Sequence, residues 1–99
     1  MRIISKRTIR EFWEQSQYRD AEQPLRAWYA EAKKADWRKP SEVKQKYRSA
    51  SILADNRVVF NIAGNKYRLV VKIHYDAGVV YIRFIGTHAE YNEISARNI

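Results

Sequence analysis

The chain has 99 residues, of which 45% are hydrophobic and 30% charged, and its formal net charge is +8. This length allows one domain, residues 1–99, with a single modest core. The composition excludes a disordered chain, and no apolar run approaches the ~20 residues that a membrane-spanning helix needs. Because cysteine is absent and the N-terminus lacks a signal-peptide core, we expect a cytoplasmic protein without disulfides, metal or cofactor.

The positive charge is concentrated in the middle of the chain. Residues 33–48 carry seven basic and two acidic side chains, a net charge of +5, against +1 for residues 1–32 and +2 for residues 49–99. Clustered cations and a pI near 9.9 suggest a phosphate-rich partner. Taken alone, the charge run favours a solvated surface that only aids solubility, so charge by itself names no nucleic acid.

The N-terminal part predicts a short strand followed by helices. Residues 2–4 are the strand candidate, and Ser5 is a favourable N-cap for a helix over residues 6–17, where apolar side chains recur at helical spacing. Asp20 is a plausible N-cap for a second helix that ends near residue 35. The three tryptophans are interpreted as packing residues.

The rest of the chain predicts a sheet and a terminal helix. Residues 37–40 predict a connector, since the residue before a proline disfavours helix. Residues 41–47 predict a short helix or turn that carries much of the basic charge. Strands are expected near residues 57–62, 66–75 and 79–86, with tight turns between them. The fold class is therefore α+β, with helices packed on one face of an antiparallel meander sheet.

The two turns set the expected register, in which Phe60 pairs with Leu69 and Val71 with Phe84. Side chains alternate between the faces of a strand, so this register collects apolar residues on the face that meets the helices. That set is Val58, Phe60, Ile62, Tyr67, Leu69, Val71, Ile73, Tyr75, Val80, Ile82 and Phe84. The opposite face should carry two cross-strand rows, Asn61–Arg68–Thr87 and Arg57–Lys72–Arg83. Like charges abreast repel one another, so the second row suggests a face that binds an anion.

The segment after the last strand predicts a capped helix start. Thr87 and Glu90 have the spacing of a capping box and are interpreted as capping residues only. His88 would then be the first helical residue, and Tyr91 would lie one turn later. Free N–H groups at a helix start attract phosphate and favour neutral imidazole. His88 either packs or functions, and its expected nearness to Arg68 favours function.

Three segments together carry a family resemblance: Gly64-Asn65-Lys66-Tyr67-Arg68-Leu69, Tyr81-Ile82-Arg83 and Thr87-His88-Ala89-Glu90-Tyr91. With them, most of the chain resembles the HigB-type toxins of bacterial toxin–antitoxin systems, which belong to the RelE-like superfamily of small ribonucleases. Family members often have Asp after the tyrosine of the last segment. This chain departs from the pattern with Asn92.

The resemblance implies an mRNA interferase that often cleaves mRNA in the decoding site of the ribosome. Such enzymes use no metal: the RNA 2′-hydroxyl attacks the adjacent phosphate, which gives a 2′,3′-cyclic phosphate and a 5′-hydroxyl. The resemblance also implies a cognate HigA-like antitoxin, usually a helix-turn-helix DNA-binding protein, that covers the toxin and represses the shared operon.

The residue chemistry agrees with this reaction. Arg68 presents a planar, charged fork suited to phosphate oxygens, and His88 can act as base or acid at neutral pH. Tyr91 is either a proton donor or a stacking surface for a base. Further RNA contacts are expected from Arg57, Asn61, Lys66, Lys72, Arg83, Lys44 and Lys46, whereas His74 is interpreted as structural or exposed. The alternative is a non-catalytic basic module that binds RNA or the ribosome through the same face.

Overall fold

Five strands form one sheet in the computed structural model, which describes residues 1–99. The strands are β1 (Arg2–Ile4), β2 (Ser51–Ile52), β3 (Arg57–Ile62), β4 (Tyr67–His74) and β5 (Val79–Thr87). Their order across the sheet is β1-β5-β4-β3-β2. Strand β1 pairs with β5 in parallel, and the other neighbours are antiparallel. The predicted α+β class and the three-stranded meander are confirmed.

Four α-helices and one 3-10 helix complete the fold. The α-helices are α1 (Lys6–Glu14), α2 (Glu22–Lys34), α3 (Pro40–Lys46) and α4 (His88–Asn92), and the 3-10 helix is Ser16–Ala21. The first helix ends three residues before the predicted residue 17, and α3 lies within one residue of its predicted bounds. No helix combines the length and the apolar character needed to cross a bilayer.

The predicted N-cap of α1 is confirmed in position, and the predicted N-cap of α2 needs correction. Ser5 occupies the N-cap position of α1, but its side chain makes no capping hydrogen bond. Asp20 does not cap α2, whose N-cap is Ala21. The physical reason is that the Asp20 carboxylate accepts hydrogen bonds from Lys66 and Tyr67 instead.

The main core lies between the helices and one face of the sheet. All three tryptophans are buried in it, which confirms their interpretation as packing residues. The rings of Trp28 and Trp37 lie 5.4 and 6.3 Å from that of Phe60. The helices therefore cover the sheet face that carries Phe60 and Leu69, and the opposite face remains for other contacts.

The register between β3 and β4 is the predicted one. Phe60 pairs with Leu69, and Asn61 with Arg68. This agreement follows from the Gly64 turn, where a positive φ of 69° suits a residue without a side chain.

The predicted register between β4 and β5 is wrong for two reasons: the loop that joins them is longer than the predicted two-residue turn, and β5 contains a bulge. Val70 pairs with Phe84 and Val71 with Ile82, so Arg83 has no partner across the strand pair. Four residues, 75–78, connect the last pair, His74 with Val79, so the pairs nearest the loop differ from the expected ones by two positions. The extra residue at the bulge reduces this difference to one position for the pairs beyond it. The expected pair of Val71 with Phe84 therefore does not form.

The longer loop and the bulge together break both expected cross-strand rows. Arg68 lies beside Gly86 rather than Thr87, and Lys72 beside Tyr81 rather than Arg83. Phe84 belongs to the face opposite the main core, where it packs in a second cluster. The row of three adjacent cations is thus reduced to the Arg57–Lys72 pair.

That second cluster covers part of the face on which an open anion-binding surface was predicted. Val59, Val70 and Ala96 are its buried members. Leu53, Phe84, Tyr91, Ile94 and Ile99 pack against them. Residues 94–99 thus pack on the sheet through Ile94, Ala96 and Ile99 and leave less of this face open than predicted.

Candidate active site

Arg68 lies near the start of β4, flanked by Asn61 on β3 and Gly86 on β5. Its side chain is half-buried, and Nη1 donates to the main-chain oxygens of Asn65 at 3.2 Å and Tyr67 at 3.5 Å. Arg68 takes part in none of the ion pairs of the protein. Its other N–H groups are therefore free to bind an anion.

The predicted capping box at the end of β5 is confirmed. The Thr87 backbone N–H donates to Glu90 Oε1 at 2.8 Å, and the Glu90 N–H donates to Thr87 Oγ1 at 3.1 Å. These two bonds start α4 directly at the end of the strand and place His88 as its first residue, where the side chain is exposed.

Gly86 allows the capping residues to approach the strand beside Arg68. A Cβ atom at Gly86 would lie 2.6 Å from Cζ of Phe84 and 2.9 Å from Oε1 of Glu90. Both side chains thus occupy the space above Gly86, on the face that Arg68 shares. Sequence reasoning missed Gly86, although a glycine inside a strand often marks such a close approach.

His88 has a neighbour one turn later in α4. Its Nδ1 lies 3.5 Å from Nδ2 of Asn92, at the outer limit of a hydrogen bond. Asn92 stands where the family pattern often has Asp. An amide carries no negative charge, so Asn92 does not supply the charge that an aspartate at this position would place beside His88.

Tyr91 is held against the sheet on the same face as Arg68. Its half-buried ring packs on the cluster of Val59, Val70 and Ala96. Val70 and Arg68 are two residues apart in β4 and so point to the same face. The Tyr91 hydroxyl makes no hydrogen bond within the protein. Arg68 and α4 are therefore brought together on one face.

Lys66 joins the turn before β4 to the helical layer. Its Nζ pairs with the carboxylate of Asp20, which also accepts a hydrogen bond from the hydroxyl of the buried Tyr67. The bonds from Lys66 and Tyr67 lower the pKa of Asp20, and the bond to Asp20 raises the pKa of Lys66. Burial and the same carboxylate raise the pKa of Tyr67. Lys66 thus anchors the turn that precedes Arg68.

Arg57 points into the fold rather than to solvent. It is 8% exposed, and Nε and Nη2 donate to the main-chain oxygen of Ile99 at 3.0 and 2.7 Å. Nη1 donates to the main-chain oxygen of Asp55 and lies 3.6 Å from its carboxylate. The RNA contact predicted for Arg57 would require these bonds to break.

The other predicted contact residues divide into two groups. Lys72 is half-buried and Arg83 exposed, and neither forms an ion pair. Lys44 donates to the main-chain oxygen of Ala50, Lys46 pairs with Glu31 at 3.3 Å, and Asn61 donates to the Ser49 oxygen at 3.2 Å. Lys72 and Arg83 lie on the sheet with Arg68, whereas the lysines of α3 lie beside β2 at the sheet edge.

The candidate site is an open surface rather than a pocket. The largest concavity, about 400 Å³, lies at the far end of β4 and includes His74 and Tyr75. His74 is exposed and meets the Tyr81 ring edge-on at 5.0 Å, as interpreted from the sequence. No group of three or more His, Asp or Glu side chains is arranged to hold a metal ion. An open basic face suits an extended polymer better than a small ligand.

Comparison with known proteins identifies the family. The model of the HigB_toxin family, described as the RelE-like toxic component of a toxin–antitoxin system, matches residues 21–94. The chain belongs to this family. The resemblance carried by the three sequence segments is thereby confirmed, and the match to the HigB family includes Arg68, His88 and Tyr91.

Curated relatives of this HigB-family chain carry an activity in their names. They include the mRNA interferase toxin HigB of Escherichia coli (strain K12) and the mRNA interferases HigB of Escherichia coli O157:H7 and Shigella flexneri. Each is 32% identical over 65 residues, which is 64% of this chain and 62% of the relative. The aligned part of the chain thus spans about three fifths of these relatives.

Proposed function

We propose that the protein is an endoribonuclease toxin that cleaves mRNA. The observation that carries the proposal is the free guanidinium of Arg68 on the face that also holds the capped start of α4, with His88 and Tyr91, in a HigB-family chain. The names of the curated relatives supply the substrate class. We further propose that cleavage takes place on the ribosome in the bacterial cytoplasm.

The proposed reaction is an attack of the RNA 2′-hydroxyl on the adjacent phosphorus. The new O–P bond forms as the bond to the 5′-oxygen breaks, which gives a 2′,3′-cyclic phosphate and a 5′-hydroxyl. A base must take the 2′ proton, an acid must protonate the leaving oxygen, and positive charge must stabilise the phosphorane oxygens.

Each proposed role follows from the position of a side chain. Arg68 stabilises the phosphorane. Its Nη1 is bonded to main-chain oxygens near the start of β4, and its remaining N–H groups have no acidic partner. His88 transfers a proton as base or acid, since its exposed imidazole can both accept and donate a proton. Tyr91 either donates a proton through its unbonded hydroxyl or stacks on a base through its ring.

Cations on the sheet would guide the RNA backbone past this site. Lys72 and Arg83 are the main candidates, because neither pairs with an acid in the protein. Asn61 adds an amide beside Arg68, and the lysines of α3 extend the positive surface at the sheet edge. Lys66 contributes charge only at long range while it remains paired with Asp20.

The test is cleavage of a defined mRNA, free and on programmed ribosomes, under single-turnover conditions with analysis of the RNA ends. We expect cyclic-phosphate ends, a rate loss of about 10²–10³-fold for Arg68→Ala and of about 10²–10⁴-fold for His88→Ala. RNA affinity should change much less than the rate. Arg10→Ala is the matched control, because this exposed arginine lies on α1.

Two results would decide against the proposal. Binding without cleavage would favour the non-catalytic module that reads RNA or the ribosome through the same cations. A folded Arg68→Ala, His88→Ala double variant that still makes cyclic-phosphate ends at the parent rate would place the chemistry elsewhere.

The proposal includes a partner as well as a substrate. A toxin of this class requires an antitoxin, which we propose to be a HigA-like helix-turn-helix protein with an acidic or apolar segment that covers the basic surface. Expression of the unmodified chain alone should arrest growth, and co-expression of the antitoxin should restore it. Normal growth at high expression of the chain alone would oppose the toxin assignment.

A further inference from the structure

Arg57 is the only buried charged side chain in the protein. Burying a guanidinium is costly unless its donors are satisfied, and here they are satisfied by the chain itself. Two nitrogens converge on the main-chain oxygen of Ile99, and the third donates to Asp55. The hydrogen bonds of this buried guanidinium therefore hold Ile99, and with it residues 94–99, against the sheet.

Those residues are folded onto the sheet around this contact. A turn between Ser95 and Asn98 is closed by a backbone bond of 3.0 Å and a side-chain bond of 3.1 Å. It lets Ala96 insert against Val59 and Val70, where it is 8% exposed. Ile94 and Ile99 pack against the same cluster.

The position of α4 depends on such contacts. It has only five residues, far fewer than an isolated helix needs for stability in water. The capping box fixes its first turn, but Tyr91 and the residues after it are fixed by packing on the cluster that Ala96 completes. Residues 94–99 are thus the second anchor of the helix that carries the proposed catalytic side chains.

We infer that Arg57 is a positioning residue, which acts through Ile99 and Ala96 to hold Tyr91 and α4 in place beside Arg68. This inference rests on the proposed function. It replaces the contact with RNA that the sequence suggested for Arg57, and the two roles make opposite predictions. A positioning residue affects the chemical step, whereas a phosphate contact affects affinity and its salt dependence.

The test compares Arg57→Met and Arg57→Lys with Ala96→Gln, which displaces the same segment from its other side. We expect Arg57→Met and Ala96→Gln each to lower the single-turnover rate at saturating RNA by about 10–100-fold, the scale of a small misplacement of catalytic groups. The slope of log Kd against log salt should not change. Arg57→Lys, which keeps the charge and a donor, should recover part of the rate.

The double variant Arg57→Met, Ala96→Gln gives the sharpest result. If both residues act through one anchor, the double variant should be no slower than the worse single variant. Amide hydrogen exchange across residues 88–94 should accelerate in Arg57→Met, in Ala96→Gln and in the double variant. It should remain slow in Arg97→Met, the control that removes an exposed cation from the same segment.

Three outcomes would overturn the inference. They are additive rate effects, a salt slope reduced by the ~0.7–0.9 of one lost phosphate contact, or unchanged exchange across α4. The exchange measurement needs no RNA, so it tests the anchor even if the parent protein cleaves nothing. In that case the proposed function fails, and Arg57 remains an anchor of α4 without a role in cleavage.

Discussion

Substitution of Gly86 by alanine adds only one methyl group, but it should destabilise the start of α4. The added Cβ would lie 2.6 Å from the ring of Phe84 and 2.9 Å from the carboxylate of Glu90, both well inside van der Waals contact. One of the two side chains must move. The backbone of Gly86 is otherwise ordinary strand, so this clash is the main source of any effect.

The expected magnitude follows from which side chain yields. If Glu90 moves, the capping box is lost, at a cost of about 0.5–2 kcal/mol. If Phe84 moves, the second cluster is overpacked, at a cost of about 1–3 kcal/mol. The free energy of unfolding should therefore fall by about 0.5–3 kcal/mol, and each kcal/mol lowers Tm by about 4–8 °C in a domain of this size.

Urea unfolding of Gly86→Ala measures this loss, and the variant with Phe84→Leu added identifies its cause. Leucine lacks the ring atom nearest to the new Cβ, so the double variant should lose less stability than the two single changes predict by addition. Glu90→Gln is the control, since glutamine also serves in a capping box. A Gly86→Ala protein as stable as the parent, with slow amide exchange in α4, would refute the close approach as a constraint.

Three further predictions test the surface and the electrostatics. Neutralising the basic residues Lys33, Lys34, Arg38, Lys39, Lys44 and Lys46 should weaken RNA or ribosome binding and reduce the log–log salt slope by about 0.7–0.9 for each lost phosphate contact; an unchanged slope would assign these cations to solubility or to the antitoxin. Tyr91→Phe should retain full single-turnover activity if the ring stacks on a base and lose activity if the hydroxyl donates a proton. Asp20→Asn should destabilise the protein most near neutral pH. The pKa of Asp20 is lower in the folded protein than the unfolded value of ~3.9, so the ionised carboxylate stabilises the fold above pH ~3.9. This stabilisation is lost as the pH falls through the folded-state pKa. Urea midpoints at pH 7 and pH 3 measure this, and a difference that does not shrink at pH 3 would contradict it.

The sequence was informative wherever local chemistry decides the structure. The Gly64 turn set the β3–β4 register, including the Asn61–Arg68 pair. The spacing of Thr87 and Glu90 predicted the capping box, and with it the position of His88. These features depend on residues within a few positions of one another, which a pattern can express.

Long-range contacts were not accessible in the same way. Asp20 has the chemistry of an N-cap, but Lys66 and Tyr67 reach it from 46 and 47 residues away and use its carboxylate. Arg57 has the chemistry of a phosphate ligand, but the Ile99 oxygen occupies it from 42 residues away. In both cases a tertiary partner competes with the local role, and no local pattern reports that competition.

The bulge at Arg83 makes a last prediction that separates the observed register from the expected one. Because Arg83 has no partner, its deletion would leave Phe84 directly opposite Val70 and would keep every later residue of β5 on its present face. Deletion of a paired residue such as Leu69 would instead turn the following side chains to the wrong face. We therefore expect the Arg83 deletion to fold, with a free energy of unfolding within about 1 kcal/mol of the parent, and the Leu69 deletion to be unfolded.

Urea unfolding and amide NMR spectra measure the effect of the Arg83 deletion, and Arg83→Ala separates the side chain from the bulge. In a continuous ladder without a bulge, the same deletion would move Phe84 to the opposite face and disrupt the cluster behind Tyr91. An unfolded Arg83 deletion beside a folded Arg83→Ala would therefore contradict a bulge at Arg83, whereas a folded deletion protein is the result that the bulge requires.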